Sequence, residues 1–101
     1  MRPTRIKVSG VPFTIKWDCD QPEDGLIDLD TCSISIAKMP PALQCDTLLH
    51  ELLHAVWFFG NLGKKEKEER VVSIMGTGVN AIFANNPELL RYVQEAHKHI
   101  I

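Results

Sequence analysis

Several absences narrow the field before any motif is read. The three cysteines, Cys19, Cys32 and Cys45, are odd in number and none pair in C-x-x-C spacing. That speaks against a disulfide framework and against a cysteine zinc site, and fits free thiols in a reducing compartment. No apolar run is long enough to span a bilayer; the longest, around Leu48 to Phe59, is short and carries two histidines and a glutamate. The N-terminal Met1-Arg2-Pro3-Thr4-Arg5 leads into alternating residues rather than an apolar run with a cleavage site, so no secretory signal is expected. A net charge of −2 and a pI near 6.0 give no electrostatic reason to expect nucleic acid or an anionic membrane as partner. The densest basic run, Lys64, Lys65, Lys67 and Arg70, is interleaved with Glu66, Glu68 and Glu69. It reads as a solvated face. Internal repeats and low-complexity segments are also missing. The expectation is one cytoplasmic, soluble domain over residues 1–101, which at 45% hydrophobic content supports one modest core.

The first forty residues alternate and the last sixty do not. Ile6 and Val8 alternate with Arg5 and Lys7; after Ser9-Gly10, Val11, Phe13, Ile15 and Trp17 alternate with Thr14 and Lys16. Period two on both arms predicts a hairpin with one apolar face. Asp18 to Gly25 holds Pro22 and Asp24-Gly25 and reads as a loop. A third strand follows, with Cys32, Ile34 and Ile36 alternating with Ser33 and Ser35. Pro40-Pro41 then opens a helix from Ala42 to about Phe59, whose apolar stripe is Leu49, Leu52, Leu53, Val56 and Phe59. Gly60 and Gly63 flank its stop. A second helix runs to about Phe83 with Val72, Met75, Val79 and Ile82 as its stripe. Asn86-Pro87-Glu88 starts a third, with Leu89, Val93, Ala96 and Ile100 in register. The fold class expected is α+β, a small antiparallel three-stranded sheet packed against three helices.

Within the first helix sits His50-Glu51-Leu52-Leu53-His54, an H-E-x-x-H match. Residues four apart on a helix lie about 40° apart and one turn along, so two imidazoles converge on one ion. Glu51 reaches beside the metal instead of binding it, placed to take a proton from metal-bound water and pass it to a leaving amine. The bland alternative is a polar pair on a half-exposed helix face. Thr47, His50, Glu51, His54 and Trp57 share one side of this helix. A catalytic zinc takes three protein ligands, and the second helix opens with Glu66, Glu68 and Glu69. Glu69 is preferred because Ser73, Gly76, Thr77 and Asn80 continue its face, and small residues permit close approach to the metal helix. Glu68 lies instead above Val72, Met75 and Val79. The acidic run also has a plain reading as helix N-terminal charge.

With these elements in order, the chain resembles a minimal gluzincin-type zinc metallopeptidase. More closely, it is similar to small phage-encoded metallopeptidase-like domains distantly related to the ImmA/IrrE peptidases. The resemblance is carried by Thr47 to Ala55, by Glu68-Glu69-Arg70-Val71-Val72-Ser73 and by Asn86-Pro87-Glu88-Leu89; it also takes in Asp24 to Ala37. It implies a zincin-like fold, zinc held by His50, His54 and a second-helix glutamate, and Glu51 as the catalytic base. In such folds an edge strand before the metal helix holds an extended peptide by strand addition, and Cys32 to Ala37 is the matching position. Two departures stand out. Ser73 occupies a place where the ImmA/IrrE type often has Asn or Asp. An oxyanion-stabilising His or Tyr has only Tyr92, His97 and His99 to draw on; Tyr92 reads as a helix-surface aromatic and the two histidines as a solvated end.

The function expected is zinc-dependent hydrolysis of peptide bonds in an intracellular protein, in the host cytoplasm if the chain is phage-encoded. The competing readings are a zinc-binding interaction module that has lost turnover and a small structural or packaging component of a phage.

Overall fold

The computed structural model describes residues 1–63 and 67–98, apart from the side chains of Glu68 and Val72. The expected roles of Glu66 and His99, and the place of Ile100 in a stripe, lie outside the described residues. Four strands come first: β1 (Arg5–Val8), β2 (Val11–Cys19), β3 (Gly25–Asp28) and β4 (Ser33–Ala37). Three helices follow: α1 (Pro41–Phe59), α2 (Glu68–Asn85) and α3 (Pro87–His97). The fold is α+β. Among the described residues no helix is long and apolar enough to cross a membrane.

The β1–β2 hairpin turns at Ser9 and Gly10, with φ of 51° and 78°. Positive φ at both central residues marks the turn whose twist matches paired strands. The sheet order is β1-β2-β4-β3, with β2 and β4 parallel and the other neighbours antiparallel. The expected three-stranded antiparallel sheet is thus a four-stranded mixed one. Alternation specifies which face of a strand is buried, not which strand lies beside it. For the same reason Cys32–Ala37 is not an edge: β4 is paired on one side to β2 and on the other to β3.

The two true edges, β1 and β3, differ. On β1, the Lys7 N–H donates to Asn86 Oδ1 at 2.9 Å, and the Lys7 carbonyl accepts from Asn86 Nδ2 at 3.0 Å. The residue at the start of α3 therefore covers that edge instead of capping its helix. On β3, the Ala37 N–H donates to the Asp24 carbonyl. Because bonded and non-bonded pairs alternate, Leu26 and Asp28 turn their backbone groups toward β4. Those of Gly25 and Ile27 face outward. This edge is open.

Ile6, Val8, Phe13, Ile15, Ile34 and Ile36 form the sheet's buried face, and Cys45, Leu48, Leu52, Ala55 and Val56 cover it from α1. Each large apolar side chain buried here contributes roughly 1.5–3 kcal/mol. The α1 stripe is rotated from the expected one. Leu48 and Ala55 are buried while Leu53 is exposed, and the rotation carries Glu51 onto the buried side. α2 meets α1 where Gly78 lies against Val56 and Gly60 against Ile74; a Cβ on either glycine would collide. Close approach does rest on glycine, but not on the expected face. Ser73, Gly76, Thr77 and Asn80 are exposed, and a Cβ on Gly76 would meet nothing within 4 Å.

Candidate metal and peptide site

One turn of α1 separates His50 from His54, and both rings stand exposed with their Nε2 atoms 3.2 Å apart. The ring planes are inclined at 79°. Two nitrogens bound to one tetrahedral zinc at about 2.0–2.1 Å lie roughly 3.3–3.4 Å apart. The Nε2 separation is close to that, at hydrogen-bonding distance, and the exposure of both rings leaves room for further ligands. Met75 of α2 borders the same hollow, of 330 Å³, together with Leu53 and Trp57.

Glu51 lies between the histidines in sequence but under them in space, 7% exposed. Its carboxylate makes no hydrogen bond or ion pair among the described residues. The carboxylate oxygens are not sealed in the core: the sealed, unpartnered side-chain atom among the described residues is the Tyr92 hydroxyl, and Glu51 faces open space. It borders two hollows. A cleft of 580 Å³ runs from Glu51 and His54 along Ile27 and Leu29 to Trp57 and Phe58. A smaller one of 300 Å³ holds Glu51 with His50, Thr47, Asp24 and Asp46.

Gly25 sets how close β3 comes to this carboxylate. A Cβ at that position would stand 2.5 Å from Thr47 Cγ2 and 3.1 Å from Glu51 Cγ. The far wall of the larger cleft is the end of α1. There Asn61, at φ 53°, takes the left-handed position after the helix. Its N–H donates to the Phe58 carbonyl and that of Leu62 to the Trp57 carbonyl, 3.0 and 3.2 Å. This is a Schellman stop, and Asn61 fills the role expected of a glycine.

The remaining expected residues are not gathered here. Among the described residues no third His, Cys, Asp or Glu joins the histidine pair in a metal-holding group. Glu69 is exposed on the open face of α2. The side chain of Glu68 lies outside the described residues. Cys45, a conceivable third ligand, is fully buried, and burial, with Asp46 adding, pushes its thiol up. Tyr92 is not a surface aromatic. It is buried against Trp17, ring centroids 5.5 Å apart, with its hydroxyl unpartnered; burial, with Cys45 adding, raises its pKa strongly. It borders the pocket of Arg2, Gln44 and Glu95, not the hollows that Glu51 borders. His97 is exposed.

The open β3 edge, Gly25 and the Asp24–Asp46 hollow have no counterpart among the expected site residues. A weak signal existed: Ile27 and Leu29 alternate with Asp28 and Asp30, immediately after the Asp24-Gly25 turn signal that obscured them. No protein-family model matches this chain, and no curated protein or solved structure matches it either.

Proposed function

We propose that the chain is a zinc-dependent peptidase of minimal zincin-like design. The observation that carries this reading is the His50–His54 separation of 3.2 Å above a buried, unpartnered Glu51. His50 and His54 would hold the metal, with a carboxylate from the first turn of α2 as third ligand. The candidates are Glu69, preferred from the sequence, and Glu68. A zinc ion held there would supply Lewis acidity to a peptide carbonyl and to water.

The chain's own residues supply the rest. Glu51 takes a proton from the attacking water and delivers it to the departing amine. Its seat under the histidines, clear of any cation, leaves both oxygens available for that shuttle. Gly25 and Ile27 offer outward backbone groups to an extended substrate, the part first expected of Cys32–Ala37.

The second reading, a zinc-holding interaction module without turnover, is favoured by the burial of Tyr92 away from the site. One set of variants separates the two. Glu51→Gln should keep zinc and lower cleavage of an unfolded protein substrate about 100-fold or more; loss of zinc binding in Glu69→Ala or in Glu68→Ala identifies the third ligand. Cleavage that persists in Glu51→Gln would overturn the hydrolase reading, as would a wild-type, zinc-loaded chain that cleaves nothing.

A further inference from the structure

The two hollows that meet at Glu51 differ in chemistry. The larger is walled by Ile27, Leu29, Trp57 and Phe58, and the last two are exposed, at 37% and 54%. The smaller is bordered by two carboxylates, Asp24 and Asp46, neither of which forms an ion pair among the described residues. Their surroundings reinforce the sign. From Asp18 to Asp30 the chain carries Asp18, Asp20, Glu23, Asp24, Asp28 and Asp30 and no basic residue; among the described residues, of these only Asp18 forms an ion pair, with Arg2. The open backbone of β3 passes from one hollow to the other, from Asp24 to Leu29. Both touch Glu51, 7% exposed and without a hydrogen-bond or ion-pair partner among the described residues.

We propose that this site selects an extended peptide in which one cationic side chain, Lys or Arg, lies two residues from one large apolar side chain, Leu, Phe or Met. The cationic side chain sits between Asp24 and Asp46, and the apolar one lies on Trp57 and Phe58. The two acids hold a cation at the mouth of the smaller hollow, where neither is neutralised by the protein itself. Trp57 and Phe58 leave apolar surface exposed that a substrate side chain removes from water. The peptide backbone pairs with Gly25 and Ile27, so every second substrate residue faces the helix and the two selected side chains lie two residues apart. The direction of pairing decides which of the two side chains comes first.

This inference rests on the peptidase reading, and the experiment keeps the two apart. Fluorescent peptides containing Lys-Ala-Leu, Leu-Ala-Lys, Glu-Ala-Leu, Leu-Ala-Glu, Lys-Ala-Gly or Gly-Ala-Lys at their centre are titrated into the zinc-loaded Glu51→Gln chain, and the same peptides are offered to wild type for cleavage. A Lys–Leu pair in one order should bind roughly fivefold or more tightly than its Glu or Gly counterparts. Asp24→Asn with Asp46→Asn should erase the Lys preference and its salt dependence while sparing the Leu preference. Trp57→Ala with Phe58→Ala should do the reverse. Circular dichroism of these surface variants confirms that they fold. Selective binding without cleavage by wild type would sink the hydrolase reading and leave the site assignment standing. Cleavage or binding indifferent to sequence, or no binding of any peptide, would overturn the assignment.

Discussion

Gly25 is the residue at which one methyl group decides the geometry of the site. Because a Cβ there would crowd Thr47 Cγ2 and Glu51 Cγ, Gly25→Ala should lower stability by about 1–3 kcal/mol, read as a fall in Tm. It should also reduce kcat/KM without loss of zinc. Thr47→Ser removes the nearer methyl, so adding it should restore part of both; failure of that rescue would mean that strain in β3, not the approach to α1, is responsible. A second residue-scale device fixes the N-terminal segment. Arg2 pairs with Asp18 at 2.9 Å and lies over the Trp17 ring at 4.9 Å, while buried Gln44 donates to Asp18 at 2.8 Å. The Arg2 guanidinium and then the Gln44 amide hold the Asp18 carboxyl below the usual aspartate range. A depressed folded pKa gives stability that is present above the unfolded pKa and lost as pH falls through the folded one. Wild type should therefore lose this contribution only below about pH 4, and acid titration of Asp18→Asn should show a flatter decline there.

At the scale of elements, the two sheet edges are handled in opposite ways. Asn86 covers Lys7 on β1, while nothing among the described residues covers Gly25 and Ile27 on β3. If β3 receives substrate by strand addition, N-methylation of a bound peptide at every second residue should weaken binding by up to about tenfold per position. The intervening residues should tolerate it. Uniform tolerance would mean that side chains alone hold the peptide. The helical elements were legible because proline, glycine and apolar spacing act locally. The hairpin was legible because Ser9-Gly10 favours one turn. The position of β4 was not, since pairing between distant strands leaves no mark in a period-two pattern. The face of α2 was misjudged because Gly76 and Gly78 look alike in sequence, and only packing against Val56 distinguishes them.

For the molecule as a whole, a sheet covered on one face by α1 presents the histidine pair, Glu51 and an open strand along one rim. The H-E-x-x-H spacing foretold the convergence of His50 and His54, because helical geometry alone produces it. Burial of Glu51 was not foretold, since it depends on how α1 rolls against β3. The central claim is that this rim holds one zinc ion. Metal analysis of the chain purified without a polyhistidine tag, alongside His50→Ala and His54→Ala, tests it directly. Wild type should carry about one zinc per chain and each variant should lose it; a metal-free wild type, or variants with unchanged zinc, would contradict the account.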